Sequence, residues 1–177
     1  QNNGKNFYVG MFPSYRECGG STHNYQPDNN IFYTAVSVFA LKNLHAGVGK
    51  LNQNKIDTII KKAVQSYLLY RNKNNLPFYG FWANNDVIMP HTFIFKHMKT
   101  VFGQSEDADD SVMALMGVAD NDTDNNELKK RLIETSNLSR KKIISTHRKY
   151  KHVPAYSTWV GQRMPVDFDF GVHCNVL

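Results

Sequence analysis

Cysteine is scarce. The 177-residue chain has two, Cys18 and Cys174, at opposite ends. That excludes a dense disulfide scaffold and any Cys-x-x-Cys motif, and the pair either closes one large loop or stays free. A His-Glu-x-x-His motif, a phosphate loop and a recognisable Ser/His/Asp arrangement are missing as well. His91, His97, His147, His152 and His173 lack metal-like spacing, and His173 with Cys174 reads as a core pair. No metal and no cofactor is therefore expected. No apolar run reaches the roughly 18 residues of a membrane span. Lys and Arg are absent between Lys99 and Lys129, an interval that holds eight of the fifteen acids. Nine of the 21 basic residues then crowd into Lys129 to Lys151. The net charge of +6 is thus polarised along the chain. Its basic run reads as a solvated helix face rather than a nucleic-acid surface. The chain opens Gln1-Asn2-Asn3 without an initiator Met, which fits removal of an upstream segment and leans the compartment towards export.

What is present suffices for one domain with a core: 41% of residues are hydrophobic and 12% aromatic. Residues 1–29 show no period and read as an extended arm. Asp28, Asn29 or Asn30 then caps a helix from Ile31 to about His45, apolar almost all round and so expected inside. Ile56, Ile59, Ile60, Ala63, Val64, Tyr67 and Leu68 recur at steps of three and four, the mark of an amphipathic helix of about 18 residues. Residues 73–105 read as a long connection rich in aromatics, including Phe78, Tyr79, Phe81 and Trp82. Asp120, Asp122 and Asp124 are spaced like the start of a calcium loop. Asn125 stands where the turn Gly belongs, however, and Arg131 where the twelfth-position Glu belongs. That stretch therefore reads as a polar turn capping a helix from Glu127. Another helix is expected from Ser139 to about Lys149, and Tyr156 to Val166 reads as extended.

The chain is organised around Ser105-Glu106-Asp107-Ala108-Asp109-Asp110-Ser111. Four acids in five residues run into the apolar pattern Val112, Met113, Leu115, Met116. One acid suffices to cap a helix, with Asp109 or Asp110 the expected cap. Like charges this close raise one another's pKa, so one carboxyl holds its proton to higher pH. A protonated carboxyl at a helix mouth is a candidate acid catalyst, and a solvated acidic cap is the plainer alternative.

Asp107-Ala108-Asp109-Asp110-Ser111 resembles the Asp-x-Asp-Asp-Thr-Ala signature of class II terpene and triterpene cyclases. Ser111-Val112 replaces Thr-Ala, and the Gln-x-x-x-Gly-x-Trp repeat of the triterpene cyclases is absent. Val166 to Leu177 is similar to the start of an inner helix in bacterial relatives of that family. The resemblance implies an all-α fold, an α/α toroid, with residues 30–177 forming its N-terminal part behind the 1–29 arm. It implies Asp109 as the acid, tuned by Asp107 and Asp110. The order of aromatic connector, acids and apolar helix recurs, from Tyr79/Trp82 to Asp109/Asp110 and from Tyr156/Trp159 to Asp167/Asp169. Tyr79, Trp82, Tyr156, Trp159, Arg163, Asp167 and Asp169 are accordingly expected to line a substrate cavity. Too few helices are visible for a closed toroid, so a missing C-terminal half or a second chain is expected to complete it. Three functions follow as expectations. One is acid-initiated cyclisation of an isoprenoid-type substrate, an isomerase or lyase activity. The second is glycan hydrolysis by the carboxylates, and the third is non-catalytic binding of a glycan or protein by an exported helical module. The expected ligand is a small hydrophobic molecule or a glycan.

Overall fold

The computed structural model describes residues 7–17, 25–84, 106–118, 121–139, 147–161 and 166–176. Five α-helices lie among them: α1 Ile31–His45, α2 Lys50–Ser66, α3 Ala108–Gly117, α4 Asp122–Thr135 and α5 Phe170–Val176. Four short strands accompany the helices. β1 Tyr15–Glu17 pairs antiparallel with β2 Tyr25–Pro27, and β3 Tyr79–Gly80 with β4 Glu106–Asp107. The architecture is mixed, and the expected all-α toroid is corrected by these two sheets. The reason is physical. Connectors that carry no helical period must still satisfy their N–H and C=O groups, and here they do so by pairing with each other.

Helix α1 begins where the sequence places it. Asn30 is extended (φ −102°, ψ 152°) and its Oδ1 accepts the Tyr33 N–H at 3.3 Å. Ile31, Thr34, Ala35 and Val38 form one buried stripe, whereas Tyr33 and Leu44 are more than half exposed. The expectation of burial all round is therefore wrong: α1 covers the core with one face. Helix α2 buries Ile56, Ala63 and Ser66 and ends at Ser66. A single 3₁₀ turn, Tyr67–Leu69, then swings Tyr67 and Tyr70 into the core and leaves Leu68 outside. Helix α4 starts at Asp122, five residues earlier than expected, because Asn121 Oδ1 caps the N–H groups of Thr123 and Asp124. Of the expected 139–149 helix, residues 140–146 lie outside the described set, and the chain resumes in a 3₁₀ turn, Arg148–Tyr150.

The arm is held at several places, two of them specific to its sequence. Arg16 donates two hydrogen bonds to Asp28 Oδ2, at 3.0 and 2.8 Å, while the Trp82 indole N–H reaches Asp28 Oδ1 at 3.1 Å. At Gly10 the chain passes so close to α2 that a Cβ would stand 2.2 Å from the Lys62 carbonyl oxygen, and φ there is +95°. Both features demand glycine.

Helix α3 is the hub, packing against α1, α5, α4 and β3. Its C-terminal end meets Lys42, whose ammonium donates to the carbonyls of Met116 and Val118 at 2.8 and 3.1 Å. Carboxylates at the N-terminus and a lysine at the C-terminus both suit the helix dipole. Gly117 allows a close approach to α1, since a Cβ there would lie 3.0 Å from Val38 and from the Tyr67 hydroxyl.

Candidate active site

The acids at the start of α3 sit in a backbone frame built from three connectors. Asp107 pairs with Tyr79 on one side and makes a bridge to Trp159 on the other. Thr158 extends the frame. Its carbonyl accepts from Ala108 N–H at 2.8 Å, and its N–H donates to the Asp167 carbonyl at 2.9 Å. Ser111 locks the corner by donating to the Asp107 carbonyl at 2.6 Å while accepting the Tyr79 N–H at 2.9 Å. The helix therefore starts on a rigid base, and its cap is Asp107, whose Oδ1 accepts from Asp109 N–H at 3.3 Å. Asp109 and Asp110, the expected caps, lie inside the first turn.

Asp107, Asp109 and Asp110 each bring a carboxylate oxygen within 4.8 Å of the others. Asp110 is completely buried, Asp107 nearly so, and Asp109 is half-buried. Neither carboxyl oxygen of Asp110 has a hydrogen-bond partner among the described residues, and the buried Thr158 hydroxyl has none either. An ionised carboxylate in such a place would lack both water and partner. Burial pushes the Asp107 carboxyl well above the usual carboxylate range. A hydrogen bond to Asp109 and the charges of Asp110 and Asp109 add to the shift. Burial likewise pushes Asp110 well up, with the Asp109 charge adding to it. Both shifts favour the neutral form of the inner members, and Asp109 is the more accessible carboxyl of the three. The same oxygens could hold a cation instead. Ions of calcium size bind oxygens at about 2.3–2.6 Å, and that reach spans this spacing.

Aromatic side chains expected around the cluster divide among three places. Tyr79 and Trp159 lie directly across from Asp107. Opposite residues of a ladder share a face, so both stand on the side of the Asp107 carboxyl. Tyr79 is buried edge-on against Tyr67, their ring centroids 6.1 Å apart, whereas Trp159 is half-buried. Burial raises the Tyr79 phenol pKa, with Arg71 opposing that shift and Asp124 adding to it. Trp82 serves the arm instead, through Asp28 and a bridge to Asn30. Tyr156 stacks on His173 with centroids 6.1 Å apart, and its N–H donates to His173 Nε2 at 3.0 Å.

Asp167 and Asp169 do not join the acid cluster. Asp167 contributes backbone contacts only: its N–H donates to Ser157 Oγ at 3.3 Å, while its side chain is exposed. Asp169 caps α5, its Oδ1 accepting from Gly171 and Val172. Arg163 lies outside the described residues. His173 and Cys174, read from sequence as a core pair, are half-buried and exposed respectively, because the seven-residue α5 buries Val172 alone. Cys18 lies outside the described residues. Asn72 and Thr158 contribute to the region without having been anticipated, while Glu106 was legible only as one of the four clustered acids. Single polar residues in irregular connectors leave no periodic signal. Among the described residues no helix is long and apolar enough to cross a membrane. Comparison with protein-family models, with curated proteins and with solved structures returns no match.

Proposed function

We propose that the Asp107–Asp109–Asp110 cluster is a Brønsted acid that initiates a reaction on an unsaturated, isoprenoid-type substrate. The observation that carries this reading is Asp110, a fully buried carboxyl without a partner among the described residues, packed against two more carboxyls. Among the described residues none of the three is ion-paired. Such a group favours its neutral form, so protons remain in the cluster where an isolated carboxylate has lost them. In the proposed reaction a proton held on Asp107 crosses the hydrogen bond to the half-buried Asp109, which hands it to an alkene carbon or an epoxide oxygen. Asp107 is left ionised, so the negative charge stays on the pair. The substrate cation ends by losing a proton to base or by adding water, and solvent returns the missing proton to the carboxyls. Trp159, across the ladder from Asp107, offers a π face to the positive charge.

Glycoside hydrolysis finds less support in the cluster alone. Its two carboxyls flank a bond at about 5–5.5 Å or 6.5–9.5 Å, and these three oxygens crowd within 4.8 Å. The test is turnover of linear polyprenyl alcohols, diphosphates and epoxides, followed by mass spectrometry. Asp109→Asn should abolish product while the helical circular dichroism stays unchanged. Product formed equally well by the variant would end this reading. Ligand binding that survives loss of all three aspartates, with no turnover, would instead favour a non-catalytic module.

A further inference from the structure

A cleft opens beside the strand that carries Asp107. Successive residues of a strand face opposite ways, so Glu106 points away from the side on which Asp107 stands. A volume of about 270 Å³ opens there between Asn72, Lys73, Asn74, Asn84 and Glu106, with Tyr70 beneath. Its walls are tied before any ligand arrives. Asn72 N–H donates to the Phe78 carbonyl at 2.8 Å, and Gly80 N–H to the Tyr70 carbonyl at 3.0 Å. The 72–75 turn closes through Asn75 N–H on the Asn72 carbonyl at 2.9 Å, with Asn75 left-handed at φ 60°. The Asn72 side chain accepts the Asn74 N–H at 2.7 Å and donates to Glu106 Oε1. Asn84 uses its own amide nitrogen on the Arg71 carbonyl at 2.8 Å.

The remaining polar capacity is specific. Among the described residues Glu106 keeps its second oxygen, Asn84 keeps Oδ1, and Lys73 keeps its ammonium. Among the described residues no ion pair joins Lys73 to Glu106 or takes either elsewhere. Two acceptors, one of them anionic, require a donor-rich cation, while the ammonium requires an anion. A sugar would want an aromatic platform, and Tyr70 is 1% exposed.

We propose that this cleft binds a small zwitterion of the free α-amino acid class. The ligand ammonium lies on Glu106 and Asn84 Oδ1, and its carboxylate on Lys73. The probe is L-alanine, titrated into the full chain labelled with ¹⁵N. The amides of Asn74, Gly80 and Asn84 should shift, with a Kd of about 1 mM for so few contacts. Lys73→Met and Glu106→Gln should each weaken binding about tenfold, as should replacing the probe with L-alaninamide or propionate, which lack one charge each. Lys73 is exposed and Glu106 half-buried, so both variants should fold, which far-ultraviolet circular dichroism checks. No shift at about 50 mM L-alanine, fifty times the expected Kd, would overturn the proposal. So would variants that bind as the native chain does, or tighter binding of methyl β-glucoside at the same amides. The titration needs no turnover and should give the same result in Asp109→Asn protein, so it stands or falls apart from the acid chemistry.

Discussion

Replacing Asp110 by Asn keeps the shape of the side chain and removes its titration. Native Asp110 is fully buried without a partner among the described residues, and its pKa in the folded chain lies well above the ordinary carboxylate value. Unfolded, the same carboxyl ionises near pH 3.9, so between that pH and its folded pKa the folded chain carries one extra proton. Its contribution to stability is complete in acid and is lost as pH rises, at up to about 1.4 kcal/mol per pH unit. The Asp110→Asn side chain does not titrate and has no such slope. In acid the variant should be the less stable protein by roughly 1–3 kcal/mol, because its amide N–H groups gain no partner. The difference should then shrink and reverse with increasing pH. Urea unfolding of both proteins from about pH 5 to 8 measures this, and contributions of the histidines cancel in the difference. Parallel stability curves would refute the reasoning, since they would mean that Asp110 is ionised throughout, as a bound cation would make it.

Two further substitutions test the frame. Asp28→Ala removes the buried carboxylate to which Arg16 and the Trp82 indole N–H both donate, and should cost about 3 kcal/mol. That is the low end for a broken buried pair because the Arg16 side chain is 34% exposed. The drop is read from urea midpoints, with Trp fluorescence reporting the loosened arm. Gly10→Ala drives a Cβ into the Lys62 carbonyl at a φ that disfavours it, so a loss above about 2 kcal/mol is expected in the same assay. Native stability in that variant would mean that the arm does not lie on α2.

Long-period features were legible in the sequence. Helix α1 runs from Ile31 to His45 as its cap and apolar run indicate, and α2 follows its step of three and four. The mouth of α3 was legible as a place where acids gather. Its geometry was not, because the cap is Asp107 and the acid turned furthest inward is Asp110. Which of several adjacent acids is buried depends on where α1, β3 and the Trp159 connector lie, and no local pattern encodes that. The sheets were missed because two- and three-residue strands are shorter than any alternation that could announce them. The recurring order of aromatics and acids was real as sequence and split in space. Tyr79 and Trp159 pair with Asp107 through the backbone, whereas Trp82 serves Asp28, Tyr156 serves His173, and Asp169 merely caps α5. Composition cannot distinguish an aromatic that lines a site from one that pins a loop.

The proposed acid requires this carboxyl cluster to keep protons above the pH at which an isolated carboxylate has lost them. Infrared spectroscopy of the full chain at about pH 7 tests it directly, because a protonated carboxyl and a carboxylate absorb at different frequencies. The account predicts a protonated-carboxyl band that weakens in Asp110→Asn and in Asp107→Asn. A spectrum with carboxylate bands alone, unchanged by either substitution, would contradict it.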